Sequence, residues 1–156
     1  MAMVPFSLHN RICIWRKESR FMRRYELMNH TADMMVKAYG NTLEECFANA
    51  AYALFDQTVD LSTVESIETT YVDVSGIDDE DRLYSFLSEM LFIEDCDNLI
   101  LKEFEVTFSE DRVHCVAKGE RLDRSKHRVR SEVKAITYHM MDIDRSTPSV
   151  TVIFDV

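Results

Sequence analysis

The run Asn29-His30-Thr31-Ala32-Asp33 decides how the chain is organised, because it joins two short strand-like segments, 24–28 and 34–39. An imidazole and a carboxylate are therefore held on a tight connection that has apolar sequence on both sides. The sequence ends in a second strand-like segment, 150–156, in which Asp155 stands one residue before the last. We expect Asp33, Asp155 and the terminal carboxylate of Val156 to meet around one divalent cation.

The composition is that of one globular domain with a hydrophobic core. The chain has 156 residues, of which 46% are hydrophobic and 29% are charged, and no apolar run approaches the length of a membrane span. The net charge of -10 disfavours extended binding to a nucleic-acid backbone, so we expect no direct nucleic-acid footprint and no membrane partner. The four cysteines form no C-x-x-C pair, which favours reduced thiols and a cytoplasmic or nuclear location.

Residues 1–24 differ in charge from the rest of the chain. They hold six basic residues and one acidic residue, a net +5, whereas residues 25–156 hold twelve basic and 27 acidic residues, a net -15. A basic, acid-poor start can be a transit peptide, a disordered arm or an artefact of start-codon choice. We interpret it as a poorly ordered extension, with the domain proper at 25–156.

The domain reads as α+β. Thr42-Leu43-Glu44-Glu45 is a capping box that begins one amphipathic helix, and a second helix follows the acidic run 78–81. The second half alternates apolar and polar residues, as strands do. We predict a single compact domain in which two main helices pack on one face of a mixed, mostly antiparallel sheet.

The chemistry of the candidate site indicates a hard metal ion. Asp33 precedes an apolar pair of methionines and Asp155 has apolar neighbours, so both carboxylates would be costly to bury unpaired. Oxygen ligands without thiolates favour Ca²⁺, with Mg²⁺ or Mn²⁺ as alternatives. The other interpretation is that both acids are solvated residues at strand ends. His30 could bind the cation, relay a proton, or hold the turn.

Further polar residues lie upstream of the last strand. Lys134 shares an alternation face with Ile136 and Tyr138, so it either protects an edge strand or contacts a phosphate or a partner's acid. Upstream, Gly119-Glu120-Arg121-Leu122-Asp123 and His127 could contribute polar groups to the same surface. No nucleophile elbow, phosphate-binding loop or H-E-x-x-H motif is present. The chain does not read as an enzyme, although a small metal-dependent phosphohydrolase and a general chaperone or scaffold remain alternatives.

From residue 25 to 156 the sequence resembles the archease family. The shared features, in order, are His30-Thr31-Ala32-Asp33, Ala38-Tyr39-Gly40, Leu43-Glu44-Glu45, Gly119-Glu120, Val133-Lys134-Ala135-Ile136-Thr137-Tyr138-His139 and Ile153-Phe154-Asp155-Val156. The basic start is not part of that pattern.

The resemblance implies a non-catalytic protein cofactor of the RtcB-type tRNA-splicing ligase. Such cofactors promote guanylation of the ligase and its repeated turnover. By motif position, the resemblance implies that Asp33, Asp155 and Val156 hold the metal and that Lys134 contributes to activation.

Overall fold

The computed structural model of the chain describes residues 23–28 and 32–156. In chain order its elements are β1 (Tyr25–Met28), β2 (Met34–Tyr39), α1 (Leu43–Thr58), a 3-10 turn (Leu61–Thr63), β3 (Glu68–Ser75), α2 (Asp79–Asp97), β4 (Leu99–Ser109), β5 (Arg112–Arg121), β6 (Ala135–Asp144) and β7 (Ser149–Asp155). The predicted extension falls almost wholly in residues 1–22, outside the described part of the chain.

The strands form two antiparallel sheets. One has the strand order β1-β2-β7-β6 and the other has the order β3-β5-β4. The predicted α+β class with two main helices is confirmed. The strands divide between two sheets instead of sharing one, because alternation along a strand shows which face is apolar but not which strand lies beside it.

Helix α1 begins where the capping box predicts. The hydroxyl of Thr42 accepts the amide of Glu45 at 3.2 Å. The Glu45 carboxylate reaches back to the amide of Asn41 at 2.7 Å, so two of the unpaired donors at the helix start are satisfied. The predicted apolar stripe is buried throughout, at Leu43, Phe47, Ala50, Ala51 and Leu54.

Helix α2 begins with a cap made by its acidic run. Asp78 accepts the amide of Asp81 at 2.8 Å, and Asp81 accepts the amide of Ile77 at 3.0 Å. Asn98 ends the helix in a left-handed conformation with φ 56°. The predicted stripe of Leu83, Phe86, Leu87, Met90 and Leu91 is buried.

The core lies where both helices meet both sheets. Helix α1 packs on β4 of one sheet and on β2 and β7 of the other, and α2 contacts β6 and β3 in the same way. Cys46 and Cys115 are buried there as free thiols, and burial raises their pKa values to about 11 and about 12. Thiols held neutral in this way behave as small hydrophobic side chains.

Candidate functional site

The strand register brings the two ends of the domain together where β2 starts and β7 ends. These are the two central strands of the four-stranded sheet, and this end of the strands is called the edge of the sheet below. In the antiparallel pair of β2 and β7, Met35 lies opposite Ile153 and Met34 lies opposite Phe154. Extending this register by one residue beyond the start of β2 would set Asp33 opposite Asp155. Directly opposite residues of such a pair have Cα atoms about 4.5–5.5 Å apart, which is close enough for two carboxylates to share a cation.

A third strand contributes Lys134 to the same edge. Ala135, the first residue of β6, pairs with Asp155, and the Lys134 amide donates to the Asp155 carbonyl at 2.7 Å. The Lys134 side chain is exposed, and Val156 follows Asp155 with 38% of its surface exposed. Lys134, Asp155 and Val156 are thus neighbours at this edge of the sheet, and the extended register of β2 with β7 would add Asp33.

Asp155 lies on the face of β7 opposite to Phe154, which is fully buried against the helices. That face is not exposed along its whole length, because Ile153 is only 1% exposed. Asp155 is exposed and Asp33 is only half-buried. The expectation that a buried, unpaired charge requires a cation is therefore wrong for Asp155, because water already solvates it.

Asp33 and Asp155 are not joined by a third acidic, histidine or cysteine side chain in the described part of the chain. Over residues 23–28 and 32–156, no group of three such side chains could hold a metal ion. His30, the predicted additional member, lies outside the described residues. A cation held here would need main-chain oxygens or water to complete its shell.

Glu120 and His127 are buried and form their own network instead of facing the site surface. The Nε2 atom of His127 lies 2.6 Å from Oε1 of Glu120, and its Nδ1 accepts the Asp123 amide at 2.9 Å. Because Nδ1 accepts, the ring proton is on Nε2, which donates to the carboxylate. Lys126 adds an ion pair to Glu120 at 2.8 Å. Glu120 and His127 are therefore held within this network and not at the exposed surface around Lys134.

The Glu120 carboxylate is held in its charged form. Burial raises its pKa, but hydrogen bonds from Lys126, from the Glu65 amide and from His127 outweigh burial and lower the pKa to about 2. This network ties the start of residues 122–134, a segment called the strap below, to the end of β5. The last residue of the strap is Lys134, so the way the strap is held bears on the candidate site.

The strap contains a residue, Arg130, that no sequence motif marks. Arg130 bonds to the C-terminal end of α1, with its NH1 atom 2.9 Å from the carbonyl oxygen of Asp56. The signal that could have found it is charge. Half of the twelve basic residues of 25–156 lie between Arg121 and Lys134, within a strongly acidic domain.

Tyr138, further along β6, has a structural partner. Its ring stacks on Tyr84 of α2 with 4.1 Å between centroids, and its hydroxyl donates to Asp81 at 2.8 Å. The run that begins with Lys134 thus first touches the candidate site and then fastens β6 to α2.

Comparison with known proteins decides the family. The family model of the archease proteins matches residues 25–156. The chain belongs to the archease family. It is 44% identical over 128 residues to protein archease of Pyrococcus abyssi, covering 80% of this chain and 90% of that one. It is 35% identical over 139 residues to protein archease of Danio rerio, covering 86% of each chain.

Solved structures of archeases and of related proteins share the fold. The solution structure of Methanobacterium thermoautotrophicum protein 1598 matches with a TM-score of 0.72 and 35% identity, covering 86% of this chain and 100% of that one. The crystal structure of a Thermotoga maritima archease, described as a possible chaperone, matches with a TM-score of 0.59 and 20% identity, covering 86% of this chain and 98% of that one. The family assignment covers all the described strands and helices.

No helix in the described part of the chain has the length and apolarity needed to cross a membrane.

Proposed function

We propose that this archease is a non-catalytic activator of an RtcB-type tRNA-splicing ligase, and that it acts through a divalent cation held at the edge of its four-stranded sheet. The observation that carries the proposal is the register of β2 with β7, which, extended by one residue, would set Asp33 opposite Asp155 and beside Lys134. The resemblance to the archease family suggests the partner, and the residues at this edge suggest the chemistry that the partner would use.

The residues at this edge fit a hard cation. Asp33 and Asp155 offer carboxylate oxygens, and Val156 offers main-chain oxygens next to them. Such donors suit Ca²⁺, or Mg²⁺ and Mn²⁺, better than Zn²⁺. When bound, the cation would supply positive charge for orienting phosphate oxygens of the nucleotide in the ligase.

The chain's own residues have distinct roles in this proposal. Asp33 and Asp155 hold the cation, and their half-buried and exposed positions leave its outer side open to a partner. Lys134, exposed beside them, offers an ammonium group to a phosphate or to an acid of the ligase. His30 is proposed as a further contributor to activation. The archease contributes positioning and electrostatics, while bond making stays with the ligase.

A reconstituted ligation assay tests the proposal. A homologous ligase is supplied with RNA ends and GTP, with and without this protein, and both ligated RNA per ligase and guanylated ligase are measured. Asp33→Ala is expected to lower multiple-turnover ligation at least about tenfold. Asp111→Ala, an exposed acid in the turn between β4 and β5, is the matched control and is expected to stimulate fully. Calorimetric titration with Ca²⁺ should show weaker binding by Asp33→Ala than by the wild-type protein, and unchanged binding by Asp111→Ala.

The outcomes separate the alternatives. Full stimulation by folded Asp33→Ala would remove the cation site from the mechanism. Hydrolysis of a phosphoester by the protein alone, lost in the same variant, would favour a phosphohydrolase. Suppressed aggregation of unrelated proteins, unaffected by the variant, would favour a general chaperone.

A further inference from the structure

The C-terminal end of helix α1 presents main-chain oxygens that the helix itself does not satisfy. The last carbonyl groups of any helix lack an amide partner further along it. In α1 these include the carbonyls of Asp56, Gln57 and Thr58, and the last turn has no basic residue to complement the negative end of the helix dipole. A basic side chain that complements this helix end must therefore come from another part of the chain.

The strap supplies partners for all three carbonyls. The Arg130 side chain donates to the Asp56 carbonyl at 2.9 Å, Ser131 Oγ donates to the Gln57 carbonyl at 2.7 Å, and the Arg130 amide donates to the Thr58 carbonyl at 2.8 Å. The guanidinium also lies 3.4 Å from the Asp56 carboxylate and 3.6 Å from that of Asp60. Arg130 thus joins the strap to the helix through its backbone and its charge.

The stretch from Arg130 to Lys134 is short and is held at its far end as well. Val133 is 2% exposed, so its side chain is packed in the core. The next residue, Lys134, donates its amide to the carbonyl of Asp155. Lys134 is therefore held beside Asp155 by its own amide bond, by the packing of Val133 and by the docking of Arg130 and Ser131 on α1.

We propose that Arg130 is a positioning residue for Lys134: by docking the strap on the C-terminal end of α1, it holds Lys134 at the Asp33–Asp155 edge of the sheet. This inference rests on the proposed function for its consequence in ligation. Its structural half, the placement of Lys134, is measurable without the ligase.

The charge of Arg130 gives its side chain a larger part than that of Ser131. Ser131 makes one neutral hydrogen bond to the helix. Arg130 combines a charged donor, two nearby carboxylates and the helix end, which makes each contact stronger than a neutral one. With 45% of its side chain exposed, Arg130 can be removed without opening a cavity in the core.

Hydrogen exchange of the Lys134 amide is the first test. Arg130→Ala is expected to speed exchange of this amide about fivefold, the effect of losing one charged contact near the surface. Exchange of the Val152 amide, in the fully buried part of β7, is followed in parallel and should stay unchanged. Arg124→Ala is the matched control, since Arg124 is exposed on the same strap and has no side-chain bond among the described residues.

A double-mutant cycle in the ligation assay is the second test. If Arg130 acts through Lys134, Arg130→Ala lowers stimulation severalfold, and combining it with Lys134→Ala is no worse than Lys134→Ala alone. A merely structural role would multiply the two effects. Arg130→Lys keeps the charge but loses the planar fork, and we expect it to restore part of the stimulation.

The results separate this inference from the proposed function. Unchanged exchange of the Lys134 amide in Arg130→Ala, or multiplied effects in the double mutant, would overturn the positioning role. If the wild-type protein itself fails to stimulate ligation, the proposed function fails, and the exchange measurement alone decides whether Arg130 places Lys134.

Discussion

Glu94 gives the sharpest test of the physical reasoning, because its carboxyl group lies in the wrong surroundings for a charge. It projects from α2, and its Oε2 atom is buried with no hydrogen-bond partner in the described part of the chain. Burial raises the pKa of Glu94, and repulsion from Asp95 and Glu132 raises it further, against a lowering hydrogen bond with Thr58. The result is a pKa of about 7.

The magnitude follows from linkage. The pKa of Glu94 is about 7 in the folded protein, whereas the ordinary value for a glutamate is 4.5, a difference of 2.5 (7 minus 4.5). The folded state therefore holds this proton more tightly than the unfolded chain, so stability falls as pH rises from about 4.5 to about 7 and is level above that. At about 1.4 kcal/mol per pKa unit, the charged form costs about 3 kcal/mol above pH 7.

Glu94→Gln should remove that cost, since glutamine has nearly the same shape and never ionises. We expect the free energy of unfolding to rise by about 3 kcal/mol at pH 8.5 and to change little at pH 4.5. Urea denaturation followed by circular dichroism across this range measures the difference. Glu89→Gln makes the same charge change on the same helix and is the control. A gain for Glu94→Gln that is constant with pH would refute the reasoning.

Two further substitutions test the frame around the site. Gly119→Ala should cost about 4 kcal/mol or prevent folding, because an added Cβ would lie 1.8 Å from the carbonyl oxygen of Ile100, and thermal unfolding of the purified variant checks this. Glu120→Gln should lower stability by about 2 kcal/mol at pH 7, since the carboxylate loses its charge-assisted bonds to Lys126 and His127. The folded pKa of Glu120 lies below 4.5, so the wild-type advantage should vanish as pH falls from about 4.5 towards 2, and an advantage that persists at pH 2 would contradict the assigned network.

The helices could be predicted because their signals are local. The Thr42–Glu45 box and the apolar stripe of α1 are separated by only a few residues, and helix geometry turns that spacing directly into a cap and a buried face. The acidic run before α2 likewise forms its cap. No partner strand is needed to interpret these patterns.

The division into two sheets and the fate of the polar residues could not be predicted in the same way. Glu120 and His127 look like surface residues in the sequence, yet they are 8% and 4% exposed because the strap folds back over the end of β5. The contact of Arg130 with the C-terminal end of α1 could not be predicted either, because that helix end belongs to residues far earlier in the chain. Long-range placement of this kind depends on tertiary packing, which a local pattern does not contain.

The candidate site lies between these two cases, because packing of the core determines it indirectly. Val36, Val152 and Phe154 are fully buried on one face of the sheet. Slipping β7 by one residue against β2 would move that apolar set off the helices, so the hydrophobic pattern favours one register. Extended by one residue, the same register would set Asp33 opposite Asp155. The proposed meeting of the two carboxylates would therefore need no interaction between them, because packing of the core would bring them together.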